Sequence, residues 1–313
     1  MASFQPFSKI RVLDLSRYLP GALATRFLAD YGADVVKIEE PQGDPARLIP
    51  PITNGVSVVF TTLNYGKRSV VLDLKSQAGC LSLRSLVAHA DLLVESFRPG
   101  VLDRLGVGYA ELCDVNPRLI MCSITGYGQT GLLRDVPGHD LNYLARSGIL
   151  ALLGQRLAAP VIPPFQMADI VGGAYAATMK IAAALYERAS MGRGRHLDIA
   201  MASEVFNLLA LEMPRRKAQP TELTGEGMLS GGLPSYRLYA TLDGRYMSVS
   251  ALEPKFFQTL CEALGLADLA TSGWSSGDPG RHAAVRLQAR FLTRTQAEWR
   301  EFFETRPCCC EPV

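Results

Sequence analysis

IRVLDLSRYLPGALATRFLADYGADVVKIE, residues 10–39, is the stretch that decides the fold. Residues 10–15 form a short apolar run that reads as a buried strand. Residues 21–31 repeat their apolar positions at helical spacing after a Pro-Gly break, and residues 33–39 read as a second strand. Strand, helix and strand within about forty residues is the spacing of a βαβ unit, which requires a parallel pair and a right-handed crossover. The alternation continues outward. Residues 69–74, 92–96 and 119–124 read as strands, and helices are predicted over 77–89 and 109–116. This order predicts an α/β fold with an open, doubly wound, Rossmann-like parallel sheet.

Ligands of such sheets sit beyond the carboxyl ends of the strands, so the turns that follow them carry the interest. These turns are Glu39-Glu40-Pro41, Asp73-Leu74-Lys75, Phe97-Arg98-Pro99-Gly100 and Thr125-Gly126-Tyr127-Gly128. The first turn reads Ser16-Arg17-Tyr18-Leu19-Pro20-Gly21 and holds no G-x-G-x-x-G, which argues against a nicotinamide or flavin enzyme.

Residues 170–191 are small and apolar, as in a tightly packed core helix, and 193–200 return as a strand. The polar, Gly-rich residues 215–232 read as a linker between a large α/β domain over 1–214 and a smaller α+β domain over 233–313. Within the smaller domain, residues 236–249 predict a hairpin around Asp243-Gly244. Helices are predicted over 256–266, 281–292 and 296–305, the last capped by Thr295.

Composition narrows the function. With 48% hydrophobic and 20% charged residues, the 313-residue chain is an enzyme-sized globule. A net charge of +2 supplies no broad basic surface, so a nucleic-acid partner is not expected. No run reaches the length of a membrane span and the N-terminus lacks a signal-peptide core, so a cytoplasmic protein without membrane association is expected. Cys80, Cys113, Cys122, Cys261 and the run Cys308-Cys309-Cys310 follow no metal-knuckle or disulfide spacing, so reduced thiols and no metal are expected. The closing FFETRPCCCEPV carries no capping signal, which reads as a chain broken off within an element.

Three residues could carry chemistry. His139 lies in Gly138-His139-Asp140 at a helix start, where a neutral imidazole can serve as a base or simply cap the helix. Asp169 precedes a Gly-rich apolar helix. It reads either as an N-cap or as a carboxylate whose pKa is displaced into a catalytic range. Glu253 follows a strand and precedes Pro254, again a cap position. Arg98, in the turn after a strand, is placed to meet a phosphate.

Taken together, RVLDLSRYLPGALATRFLADYGADVVKIEEPQGDPAR, NYGKRSVVLDLKS, ESFRPGVLDRLGVGY, SITGYGQTG, PGHDLNYLARSG and ADIVGGAYAATMKIAAALYERASMGRGRHLDIAM resemble the family III CoA-transferases and their relatives, the α-methylacyl-CoA racemases. The resemblance spans nearly the whole chain. It implies a CoA-binding Rossmann-like large domain, a smaller domain and an intertwined homodimer. The substrate is an acyl-CoA, and no cofactor is implied beyond the CoA it carries. Asp169 matches the transferase nucleophile, and also the racemase aspartate that exchanges the C2 proton with the His of a GHD motif, here His139. Glu253 matches a racemase glutamate that hydrogen-bonds that His. Expected CoA contacts are Arg98, Lys67, Arg68, Gly126, Tyr127 and Asp140.

Two departures stand out, Glu40 where many relatives carry Arg, and Tyr65 where NRGK is common. The resemblance also implies a segment beyond Val313 that returns to the large domain. A transferase uses only Asp169 and leaves His139 and Glu253 unexplained, so the expected activity is epimerisation of a 2-methylacyl-CoA. CoA transfer through an aspartyl anhydride is the alternative, and a catalytically silent CoA-binding fragment a third.

Overall fold

The computed structural model describes residues 4–154, 158–218 and 227–313. Six strands form one parallel sheet: β1 (Arg11–Asp14), β2 (Asp34–Glu39), β3 (Arg68–Val71), β4 (Leu92–Glu95), β5 (Ile120–Thr125) and β6 (His196–Ala200), in the order β3-β2-β1-β4-β5-β6. Pairing is parallel throughout, with Val12 opposite Val35 on one side and Leu92 on the other. The apolar runs lie in this sheet because both faces are covered. Leu92, Leu93 and Val94 in β4 are fully buried, each stabilising the fold by roughly 2 kcal/mol. Helices α1 (Tyr18–Asp30), α2 (Gln77–Val87), α3 (Tyr109–Val115), α4 (Asp140–Ser147) and α5 (Ala176–Met191) belong to this unit.

Several boundaries differ from the sequence reading. Helix α1 starts at Tyr18, ahead of the expected Pro-Gly break, because Pro20 falls in the first turn, where a missing N–H costs no hydrogen bond. Strand β3 ends at Val71 rather than residue 74, and Asp73 then begins a turn in which its Oδ1 accepts the Lys75 N–H at 3.0 Å. The expected helix over 170–191 begins earlier. A wide π-type turn covers Ala168–Tyr175 and runs into α5. It packs closely on its neighbours at Gly172 and Gly173, where an added Cβ would lie 2.5 Å from the Met201 carbonyl oxygen and 2.6 Å from Pro20 Cβ respectively.

The chain divides into two compact units, residues 1–150 with 162–211, and residues 151–161 with 212–313. In the region expected as a linker, Glu212–Ala218 is a short helix and Met228–Gly232 a wide turn, and 219–226 lie outside the described residues. The second unit holds an antiparallel sheet of β7 (Tyr236–Ala240), β8 (Tyr246–Ser250) and β9 (Cys310–Pro312) in the order β9-β8-β7. Its core gathers Tyr239, Met247, Phe257, Phe291, Trp299 and Phe303 from this sheet and from α6 (Pro254–Ala263), α7 (Gly277–Phe291) and α8 (Gln296–Phe303). Thr295 caps α8 in a reciprocal box with Glu298, whose Oε2 accepts the Thr295 N–H at 2.7 Å. Cys308 and Cys310 are buried in this core as free thiols. Among the described residues, no helix is long and apolar enough to cross a membrane, and no group of His, Cys, Asp and Glu is placed to hold a metal.

Candidate active site

Strand order reverses between β1 and β4, so the turns after these two strands part around a crevice, the usual ligand position in an open α/β sheet. The turns are tied across it, with Ser96 Oγ accepting the Arg17 N–H at 2.8 Å. Tyr18, the next residue, has φ +59°, a left-handed conformation that costs a non-glycine residue about 1 kcal/mol or more. Two clefts open from this point. The first, about 420 Å³, lies over the ends of β1, β2, β3 and β4 and includes Arg17, Glu40, Gln42, Lys75 and Phe97 in its wall. The second, about 350 Å³, includes Arg17, Phe97, Arg98, Gly126, Tyr127, His139, Tyr143 and Asp169. Arg17 and Phe97 stand in both walls.

The second cleft thus brings together two of the three expected catalytic residues. His139 is exposed at the head of α4, and its backbone N–H donates to Asn142 Oδ1 at 3.0 Å. Asp169 does not cap a helix as the simpler reading had it. Met167 holds the cap position, and Asp169 lies inside the first turn of the π-type segment. Burial, and secondarily the nearby charge of Asp140, push the Asp169 carboxyl from 3.8 up to about 7. It therefore exchanges protons near neutrality.

Asp140, expected among the CoA contacts, serves Asp169 instead. Its Oδ1 accepts the Asp169 N–H at 3.0 Å, and the Ala168 N–H donates to the same carboxylate. These are the N–H groups that a helix start leaves without intrahelical acceptors. Burial raises the Asp140 pKa as well. Tyr143 anchors the other wall, its hydroxyl donating to the Gly138 carbonyl and its ring meeting Tyr127 edge-to-face at 5.3 Å. Burial pushes its phenol up to about 12, so it stays a donor. Gly126 is required by this packing, because a Cβ there would stand 2.4 Å from Tyr143 Cε1.

The remaining expected contacts separate. Arg98 is exposed in the second cleft, and its guanidinium has no partner among the described residues. Lys67 is not placed for phosphate. Its ammonium is buried, 2.9 Å from Asp14 Oδ2, and also donates to Ala22 O at 2.8 Å and Asn64 Oδ1 at 2.9 Å. Burial alone would raise the Asp14 pKa, but the Lys67 and Lys37 ammoniums outweigh it and hold the carboxyl at about 2. Arg68 is likewise committed, its guanidinium bridging both oxygens of Asp34 at 2.6 and 2.7 Å away from either cleft. Glu253 belongs to the second unit, where it is exposed ahead of Pro254 and its side chain caps nothing. Arg17 and Phe97 lay in turns that the sequence singled out but were given no role there. The only signal was that they follow β1 and β4, and the strand order that makes those two ends adjacent is a tertiary fact.

The family model described as CoA-transferase family III matches residues 7–313. The chain belongs to CoA-transferase family III. Family members similar to it include the alpha-methylacyl-CoA racemase of Homo sapiens, 35% identical over 305 residues, or 97% of this chain and 76% of that protein. The succinyl-CoA:glutarate CoA-transferase of Mus musculus is 33% identical over 311 residues, 96% of this chain and 70% of that protein. Among solved structures, a CAIB/BAIF family protein from Brucella suis superposes with a TM-score of 0.84 at 29% identity, covering 99% of this chain and 84% of that one. The α/β fold read from residues 10–39 is therefore the family's fold.

Proposed function

We propose that the protein epimerises an acyl-CoA at the carbon next to the thioester carbonyl, with His139 and Asp169 as its two bases. The observation that carries this reading is that both residues line one cleft while burial holds the Asp169 carboxyl near pH 7. One base, unprotonated, takes the C2 proton, and the C–H electron pair moves onto the thioester oxygen to give an enolate. The other, protonated, returns a proton to C2 on the opposite face. The reverse direction uses the same pair with roles exchanged, so a group that titrates near neutrality suits the task. The enolate oxygen needs a donor. His139 N–H is taken by Asn142 and is not free for that role.

CoA itself fits the paired clefts. We place its nucleotide end in the first cleft and its thioester in the second, with Arg98 and Tyr127 beside the acyl end. The active assembly is proposed to be a homodimer, which light scattering tests.

CoA transfer is the second reading, favoured by the same cleft-facing Asp169 and by the similarity to a succinyl-CoA:glutarate CoA-transferase. One assay separates the two. A single epimer of a 2-methylacyl-CoA is incubated with the protein and an added dicarboxylate. Inversion at C2 without loss of the acyl group supports the proposal. Formation of the dicarboxyl-CoA with C2 unchanged refutes it, and binding without either reaction identifies a silent CoA binder.

A further inference from the structure

The first cleft is poorly suited to an anion as it stands. Glu39, Glu40, Asp44 and Asp73 line it, against the cations Arg17 and Lys75. Two of these carboxylates are paired with cations outside the cleft wall, Glu39 with Arg47 at 2.7 Å and Asp44 with Lys37 at 2.7 Å, while Asp73 accepts only the Lys75 backbone N–H at 3.0 Å. Glu40 is different. It is half-exposed, its carboxylate lies 3.2 Å from the Arg17 guanidinium, and that guanidinium also sits over the Phe97 ring at 5.2 Å. The backbone of Arg17 is pinned on both sides of its peptide, its N–H donating to Ser96 Oγ at 2.8 Å and its carbonyl accepting from the same hydroxyl at 3.3 Å. Its side chain, held by Glu40 and Phe97, lies at the boundary shared by the two clefts.

On the reading that CoA spans both clefts, we propose that Arg17 captures the CoA diphosphate and that Glu40 is an internal competitor that restrains it. In the free protein the guanidinium is occupied by Glu40. CoA binding exchanges that carboxylate for a diphosphate oxygen, to which the planar fork donates a stronger, charge-assisted pair of bonds. Breaking the Arg17–Glu40 pair is therefore part of the cost of binding, and through that pair Glu40 weakens CoA affinity.

The test is calorimetric titration of CoA and dephospho-CoA into the full chain and its variants Glu40→Gln, Arg17→Ala and the two combined. Releasing a half-exposed ion pair is expected to tighten CoA binding about threefold in Glu40→Gln. Losing the guanidinium weakens it at least about tenfold in Arg17→Ala. The combined variant binds like Arg17→Ala alone, since Glu40 then has nothing to withhold. The Glu40→Gln gain persists with dephospho-CoA, which keeps the diphosphate.

Four results overturn the proposal. Glu40→Gln could bind no tighter than the unmodified protein, or its gain could survive in full in the Arg17→Ala background, the mark of plain charge repulsion. The gain could vanish with dephospho-CoA, which would assign the exchange to the 3′-phosphate. If the unmodified protein binds no CoA, the functional reading falls and this proposal with it, a result distinct from equal binding by every variant. Should Arg17→Ala not fold, as judged by circular dichroism, Arg17→Lys replaces it, binding more weakly than the unmodified protein yet still tightened by Glu40→Gln.

Discussion

Replacing Asp169 by asparagine abolishes the proposed proton exchange yet stabilises the protein at alkaline pH. The carboxyl has its folded-state pKa raised from 3.8 to about 7 by burial and by the charge of Asp140. Below about pH 4 it is protonated in both folded and unfolded chains and contributes nothing to their difference. Between pH 4 and 7 the unfolded chain releases the proton while the folded one keeps it, so stability falls as pH rises, and above pH 7 the cost is constant. A shift of about three units bounds the cost at roughly 4 kcal/mol. The side chain lines a cleft open to solvent, which screens it, so about 2 kcal/mol is expected. Asparagine keeps the shape and leaves the backbone N–H to Asp140 intact. Urea unfolding of both proteins at pH 4.5 and pH 8 reads the effect. About a quarter of that cost is already present at pH 4.5, so the variant gains about 1.5 kcal/mol at pH 8 relative to its difference at pH 4.5. An equal difference at both pH values would refute the assigned burial of this carboxyl and the proton chemistry built on it.

Further expectations follow from other contacts. Lys67→Met strands Asp14 as a buried charge without its cation and costs about 3–5 kcal/mol, measured by urea unfolding at pH 7; little loss would mean that Lys67 is free for ligand after all. Gly126→Ala drives a methyl into the Tyr143 ring, costing about 1–3 kcal/mol and most of the activity, read by thermal melting and the epimerisation assay. Asp140→Asn removes the charge beside Asp169 while retaining an acceptor for its N–H. The acidic limb of the pH–rate profile therefore moves to lower pH, and an unmoved limb would show that Asp140 does not tune Asp169.

What the sequence made legible was local or periodic. The runs IRVLDL and ADVVKIE predict buried parallel strands from their apolar residues; Arg11 and Asp34 at the strand starts stay exposed, and the structure buries Asp14, Lys37 and Glu39 by pairing them with Lys67, Asp44 and Arg47. That same pairing defeated the reading of Lys67 as a phosphate ligand, since its partner lies 53 residues earlier in the chain. Asp140 was expected only as a CoA contact implied by the family resemblance; its carboxylate's use as acceptor for the Asp169 backbone was not legible, because it depends on two segments 29 residues apart meeting. The convergence of His139 and Asp169 on one cleft was expected only through the family resemblance, and spacing along the chain could not have supplied it.

The central claim is that His139 and Asp169 move a proton at C2. It is tested most directly by incubating the protein with a 2-methylacyl-CoA in heavy water and reading C2 by mass spectrometry and proton NMR. The account predicts one deuteron at C2, entering both epimers, and its loss in His139→Ala. An unlabelled C2, with CoA passed to an added carboxylic acid through an Asp169 anhydride that hydroxylamine traps, would contradict it.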